Sequence, residues 1–378
     1  MSLLTLAYVA AALALVTYGL SLFNFVAWPR RPRSVPPARP ISVLIPARNE
    51  AHNIKAALHA LVANQYHPSE IIVYDDGSDD GTADAVIEMM GATVPVHLVD
   101  GKPLPKGWIG KVHACHRLAQ EAKEDLLLFL DADVRLKKEG IMYLLGLMDA
   151  YSADMVSAFP EQKTATFWER MVIPLLHLTY MSWLPLSLIW RTEDPRLLAV
   201  NGQVLLCKRK ALDAIGGFES IRSEIVDDMA LARRMKRYGQ RVLFVDGHEI
   251  ATCRMYRSKR EVFDGFSKNL FPGLGGSDAL LALVLTLYTT AFLLPWLFLP
   301  LSLIDSAYFI PALLGVGANL LHRSLLVLLF GHSWLTLPFH PLGIVTFVGI
   351  ALRSARWYRD GKVSWRGRAY DVRSPGGR

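Results

Sequence analysis

The sequence predicts an α/β domain on a mostly parallel sheet, set between membrane helices at both ends of the chain. Three observations carry this. Short continuous Ile/Val/Leu runs alternate with helix-like stretches in the middle of the chain, as a sheet covered on both faces requires. Charge-free apolar segments lie at the two ends, and acidic clusters directly follow two of the predicted strands.

Residues 2–28 contain no charge and are long enough to cross a bilayer as a helix. The start lacks the basic residues of a secretory signal, and the run ends in Trp28-Pro29 followed by Arg30, Arg31, Arg33 and Arg39. Residues 1–28 therefore read as an uncleaved anchor. The Pro/Arg stretch 29–40 is a stiff linker.

Residues 41–276 have ordinary globular composition. Strands are expected at 41–46 (ISVLIP), 70–75 (EIIVYD), 94–99 (VPVHLV), 125–130 (DLLLFL) and 154–159 (DMVSAF). Helices are expected near 51–65, 81–90, 111–123 and 137–150. The segment 167–190 is apolar but carries Glu169, Arg170, Pro174, His177 and Pro185, which suits a helix lying along the headgroups better than a spanning one.

Residues 277–355 form a second membrane region, with candidate crossings at 279–304, 308–330 and 338–353, followed by a basic tail, 356–378. The first crossing is bent by Pro295 and Pro300, and the third is short. The second contains His322-Arg323; intramembrane charge is costly and faces protein or water, so the pair reads as a loop, a helix break or the lining of an acceptor channel. The net charge of +7 sits largely beside these segments. This placement fits the positive-inside bias and predicts an integral protein of the cell membrane with its central region cytoplasmic. It does not suggest a nucleic-acid partner. Three carboxyl-terminal crossings would leave the basic tail outside, so the count is even or one segment is re-entrant. Cys115, Cys207 and Cys253 have no metal-like spacing, as expected of a reduced compartment.

The acidic residues carry the chemistry. Asp75 and Asp76 open the loop DDGSDDGT after the second strand, and Asp131-Ala-Asp133 follows the fourth. Both fall on the edge of the sheet where ligands of such folds gather. Turn-forming or helix-capping aspartates are the bland alternative; two clusters on one edge favour a Mg²⁺ or Mn²⁺ site able to neutralise phosphates. A third site, Asp227-Asp228, opens a predicted helix. Carboxylates settle there for dipole reasons alone, or one of them serves as a general base. His113 and His116 flank Cys115 with no second ligand pair and read as ordinary helix residues.

Taken together, Ser42-Val-Leu-Ile-Pro-Ala-Arg-Asn-Glu50, the DDGSDDGT loop, Leu-Asp-Ala-Asp133 and Asp227-Asp228 resemble family 2 glycosyltransferases of the GT-A fold. Gly107-Trp-Ile-Gly-Lys111, Asn201-Gly-Gln203, Gly216-Gly-Phe218, the segment 253–271 and Trp365-Arg-Gly-Arg368 are similar to bacterial carotenoid and hopanoid-associated members; ceramide glucosyltransferases are more distant. The resemblance implies that Pro46, Glu50, Asp76 and Lys111 line the nucleotide pocket, and Asp75 is counted with them. Asp131 and Asp133 would contact ribose and metal, with Asp133 the direct ligand. Gly202 and Gln203 would sit near sugar or acceptor. Asp228 takes the base position, with Asp227 where members more often carry Glu. The Gln-x-x-Arg-Trp pattern of processive members is absent, which implies addition of a single sugar. In the corresponding region Lys268 is a candidate diphosphate contact or a membrane-surface lysine.

The expected activity is inverting transfer from a nucleotide sugar, UDP-glucose, to a lipid-like acceptor such as a carotenoid or hopanoid. A polyprenyl-phosphate or cell-envelope polysaccharide transferase is the alternative enzyme. A catalytically silent membrane scaffold or lipid transporter is the alternative of another class. A nicotinamide enzyme is excluded by the lack of a Gly-x-Gly-x-x-Gly turn after the first strand.

Overall fold

All five predicted strands form, and three more join them in one eight-stranded sheet. The computed structural model describes residues 2–30, 32, 36–361, 364–365 and 368–369. The strands are β1 (Ser42–Ala47), β2 (Glu70–Asp75), β3 (Val96–Asp100), β4 (Leu126–Leu130), β5 (Val134–Leu136), β6 (Met155–Gln162), β7 (Val204–Lys208) and β8 (Val242–Cys253). Their order is β3-β2-β1-β4-β7-β6-β8-β5. The sheet is mixed but parallel in most of its pairings, as expected, with β6 and β8 also running parallel. β1 pairs in parallel with β2 and β4, and β2 with β3. β7 runs antiparallel between β4 and β6, and β5 runs antiparallel to the end of β8.

The chain lays β1, β2 and β3 outward in one direction and then returns to place β4 on the other side of β1. This reversal opens a crevice at the carboxyl ends of β1 and β4, the usual ligand position in such sheets. Ile45, Val73, Leu128, Leu206 and Val245 from the strands pack with Ile54, Leu58, Ile141 and Leu144 from the helices in one buried core. Both faces are covered, so β1, β2 and β4 are buried along their whole length and carry continuous apolar runs rather than alternating ones.

Residues 28–163 and 187–255 pack as this α/β unit, while residues 2–27, 164–186 and 256–361 pack as a second, helical unit. Among the described residues, three helical stretches are long and apolar enough to cross a membrane: Leu3–Ala27, Asp278–Leu301 and Ser306–Phe330. The first two carboxyl-terminal candidates are among them. The third, 338–353, falls in the helix His340–Arg359, whose last turns carry Arg353, Arg356 and Arg359; it is not among the three. The expected interfacial helix at 167–190 is broken into Phe167–Val172, Leu175–Trp183 and Leu188–Arg191, with Pro174 and Pro185 at the interruptions. The basic tail and part of the linker lie outside the described residues, except for a backbone pairing of Ser364–Trp365 with Arg368–Ala369.

Within the helical unit, Ala7, Ala10, Ala11 and Ala14 form the inward face of the first helix. A Cβ on Gly315 would fall 2.7 Å from Pro295 and 3.4 Å from the Ala11 backbone. Small residues thus let the backbones approach closely, as apolar surroundings favour. One polar residue ties this helix to the broken segment. Asn24 is fully buried; its Nδ2 donates to the carbonyls of Met181 (3.0 Å) and Leu184 (2.8 Å), and its Oδ1 accepts from the Leu186 N–H at 2.8 Å. These bonds satisfy backbone groups that the break at Pro185 leaves without helical partners.

Asn24→Leu is therefore expected to destabilise the protein by about 3 kcal/mol, since it orphans buried backbone groups. Thermal unfolding in detergent should show a midpoint several degrees lower; an unchanged midpoint would remove Asn24 from this role.

Candidate active site

The crevice is built first by hydrogen bonds between the loops that follow β1 and β2. The Asp76 N–H donates to the Ala47 carbonyl at 2.9 Å. Asn49, in the left-handed region at φ 53°, donates its N–H to Ser78 Oγ at 2.9 Å and accepts from the Asp79 N–H at 3.1 Å. Asp75 accepts from the Ser78 N–H at 3.0 Å and from its hydroxyl, so it holds the turn. Asp80 accepts from the Ala51 N–H at 3.0 Å at the start of the helix Ala51–Val62 and from Thr82. Despite some burial, these bonds depress its pKa below the usual carboxylate value. Asp76, 1% exposed, lies beside Arg48, whose guanidinium reaches its carboxylate at 4.0 Å and also donates to the Gly77 carbonyl. Pro46 sits in β1 in register with Tyr74. Glu50 is buried at the start of the following helix and accepts from Asn53 Nδ2 at 2.8 Å.

The second wall comes from β4 and β7. Their antiparallel register pairs Leu130 with Val204, so the next step faces Asp131 with Gln203, and the Asp131 N–H donates to the Gln203 carbonyl at 3.1 Å. The pairing of β5 with β8 brings Cys253 opposite Val134. The Cys253 thiol thereby stands near the Asp133 carboxylate and acts to lower its pKa, while Gln203 Nε2 donates to Cys253 Sγ at 3.0 Å. Gln162 in turn donates to Gln203 Oε1 at 2.9 Å. Ser157 clamps the Asn201 backbone from both sides, at 2.9 and 2.8 Å.

Lys111 joins the walls. It stands in the first turn of the helix Gly110–Glu121, with Nζ 2.7 Å from Asp131 Oδ1 and 4.0 Å from Asp227 Oδ2. Burial works against its charge, but Asp131 and Asp227 outweigh this and hold its pKa well above the ordinary lysine value. Asp228 sits beside Asp227 in the first turn of the helix Asp227–Arg237. Burial, and then the neighbouring Asp227, push Asp228 up to about 6, against the pull of Lys111. Gly202 lies against it: a Cβ there would be 3.2 Å from Asp228 Cβ and Oδ2, so this position takes no side chain without displacing the carboxylate.

Asp133 completes the cluster. Its Oδ1 is buried without a hydrogen-bond partner, and burial, Asp131 and Glu50 together push its pKa to about 7. A buried carboxylate with an orphaned oxygen, repelled by two others, suits a divalent cation that prefers oxygen ligands. Among the described residues no group of three or more His, Cys, Asp or Glu stands in metal-holding geometry. Asp131 and Asp133 could supply two ligands, leaving the others to phosphate and water, as is common for Mg²⁺.

The structure thus gathers Pro46, Glu50, Asp75, Asp76, Lys111, Asp131, Asp133, Gly202, Gln203, Asp227 and Asp228 in the α/β unit. Lys268 lies on the helix Lys259–Gly273 of the helical unit. His113 and His116 pack on Trp108, at ring distances of 5.4 and 5.0 Å. Sequence reasoning passed over Arg48, Ser157, Gln162 and the thiol of Cys253. Arg48 falls inside a stretch already singled out; nothing local marks the others, because strand pairing brings them in.

Residues 42–216 match the profile of glycosyl transferase family 2. Over 345 residues the chain is 28% identical to 4,4'-diaponeurosporenoate glycosyltransferases of Staphylococcus aureus strains MRSA252 and USA300, covering 88% of each chain. Among solved structures, it resembles a mannosyltransferase from Pyrobaculum calidifontis in complex with GDP-Man and Mn²⁺. That likeness has a TM-score of 0.53 at 18% identity and covers 91% of this chain and 98% of the other. At that identity it shows the fold, which is GT-A. Residues 42–216 thus bear the sequence profile of glycosyl transferase family 2 on a sheet of GT-A architecture.

Proposed function

We propose that this glycosyltransferase moves a single sugar from a nucleotide diphosphate donor, UDP-glucose, to a carotenoid-like lipid acceptor, with inversion and with a divalent metal. The observation that carries the reading is the convergence of Asp131, Asp133, Lys111 and Asp228 at the crevice where β1 and β4 diverge. The acceptor class is supported by the staphylococcal relatives and by the three membrane-length helices. Arg30, Arg31, Arg33 and Arg39 after the first helix support a cytoplasmic face for the donor crevice.

Each residue has a task that follows from its surroundings. Asp76 and Glu50 frame the nucleoside end of the crevice, with Pro46 in the strand beneath. Asp131 and Asp133 would hold Mg²⁺ or Mn²⁺, which supplies neutralisation of the leaving diphosphate. Lys111 adds a fixed positive charge and stays protonated at any working pH, since its carboxylate neighbours raise its pKa. Asp228 takes the proton of an attacking hydroxyl; a carboxylate with a pKa near 6 is a stronger base than an exposed one and is still ionised at neutral pH. Asp227 keeps that pKa raised and shares Lys111.

A second reading concerns the nucleophile. The relatives are named for a carboxylate acceptor, and a carboxylate attacks without giving up a proton. The pH profile separates the two. Asp228 works ionised, so with a hydroxyl acceptor kcat should fall as pH drops through about 6. With a carboxylate acceptor this limb should move to the acceptor's own pKa.

Asp228→Asn should lower transfer roughly a hundredfold or more to a hydroxyl acceptor while leaving nucleotide-sugar binding within a few fold; transfer at the parent rate would dismiss Asp228 as the base. Gly202→Ala should reduce kcat in the same direction, because its methyl displaces the Asp228 carboxylate; an unchanged kcat would count against that packing. Excess chelator should abolish transfer, with Mn²⁺ restoring it. Asp133→Asn should remove the Mn²⁺-dependent rise in unfolding temperature yet raise that of the metal-free protein, because it relieves a buried, repelled carboxylate. Full activity in chelator would end the metal assignment.

A further inference from the structure

The helical unit holds a positive charge that the donor crevice does not use. Arg323 lies within the span Ser306–Phe330 and is 1% exposed, on an unbroken helix Phe309–Phe330. The loop and helix-break readings of His322-Arg323 therefore fall away. Withdrawing a guanidinium from water is costly unless an anion or a full set of acceptors compensates. Here neither is complete. Nε donates to His340 Nδ1 at 2.9 Å, while Nη1 is buried without a hydrogen-bond partner. No carboxylate among the described residues pairs with Arg323.

The neighbours do not add charge of either sign. His340 accepts at Nδ1, so its proton is on Nε2, which donates to the Phe292 carbonyl at 3.1 Å, and the ring is neutral. Phe292 lies in the wide turn Thr289–Leu293 ahead of Pro295, where the helical ladder is interrupted. His322 Nε2 meets Ser21 Oγ at 2.6 Å, and its Nδ1 is buried and unpartnered. Asn319, 1% exposed, has both Oδ1 and Nδ2 buried without partners. Positions 319, 322 and 323 share one helix face, one turn apart, so the orphaned atoms point to a common region. Gly343 faces the guanidinium without a side chain, a Cβ there lying 3.7 Å from Nη2.

We propose that Arg323 and Asn319, supported by His340 and His322, form a binding site for the carboxylate head of a long apolar chain that enters from the bilayer. The cluster carries one net positive charge, which a carboxylate balances; a phosphate dianion would leave net negative charge in an apolar interior. A planar guanidinium presents paired donors that match a carboxylate's two oxygens, and the Asn319 amide adds another. Phe292, Phe330 and Leu326, all buried in the same unit, offer the apolar surroundings that a hydrocarbon chain needs. This ligand class coincides with the carboxylate acceptor of the second reading above, but the site is argued from Arg323 and Asn319, and its binding is measured without transfer.

The test uses the full chain in detergent, with oleate as the probe, oleyl alcohol as the same chain without charge, and acetate as the charge without a chain. Oleate should bind saturably at one equivalent by native mass spectrometry and raise the unfolding temperature; the alcohol and acetate should do neither. Arg323→Gln and Asn319→Leu, checked for retained helicity by circular dichroism, should each weaken oleate binding roughly tenfold or more, as loss of a charged or amide hydrogen bond implies. Should Arg323→Gln fail to fold, Asn319→Leu decides. An equal response to oleyl alcohol, saturation by acetate alone, or unchanged oleate affinity in a folded variant would overturn the proposal.

Discussion

Lys111 is the charge that lets the crevice at the ends of β1 and β4 exist. Asp131 and Asp133 come from the end of β4, and Asp227 and Asp228 from the start of a helix nearly a hundred residues later in the chain. Held together in a buried space, these carboxylates repel one another, and the raised pKa values of Asp133 and Asp228 express that cost. Lys111 Nζ, between Asp131 at 2.7 Å and Asp227 at 4.0 Å, offsets part of it and joins the two walls. What remains uncompensated is concentrated on Asp133 and Asp228. Strain of this kind is commonly retained at functional sites because the chemistry uses it.

The parts legible in the sequence were those whose signal is local. The runs 41–46, 70–75 and 125–130 have continuous apolar centres because helices cover both faces of the sheet, and acidic residues close or directly follow the last two. The parts that were not legible depend on pairing at a distance. β7 follows Asn201-Gly-Gln203, which reads as a turn. β8 runs twelve residues through Asp246, Gly247 and His248, polar enough to hide its continuity, and it meets β6 across a register shift between Pro160 and Glu161. Missing those strands concealed the antiparallel insertion. It also concealed how Cys253 and Gln203 reach Asp133. Asp75 and Asp80 show the converse: local chemistry identified a cluster, but only the folded loop shows which aspartates hold turns.

The helical unit gives a related lesson. Hydropathy finds membrane-length segments by averaging, so it detects Leu3–Ala27 and passes over Asn24 within it. Yet Asn24 makes three backbone bonds that join the first helix to the segment broken at Pro185. His322-Arg323 stood out only because charge in an apolar run is conspicuous.

The order in which the chain visits its two units has a practical consequence. It enters the α/β unit after residue 27, leaves it at 164, returns at 187 and leaves again at 256. The excursion 164–186 is therefore internal, and trimming both ends of the chain would still leave its two apolar helices, Phe167–Val172 and Leu175–Trp183, within what remains. A version of the α/β unit alone would need that excursion replaced by a polar bridge from Lys163 to Ser187. Cys253 and Lys163, whose backbones are bonded at 2.7 Å, mark where such a graft must leave the sheet undisturbed.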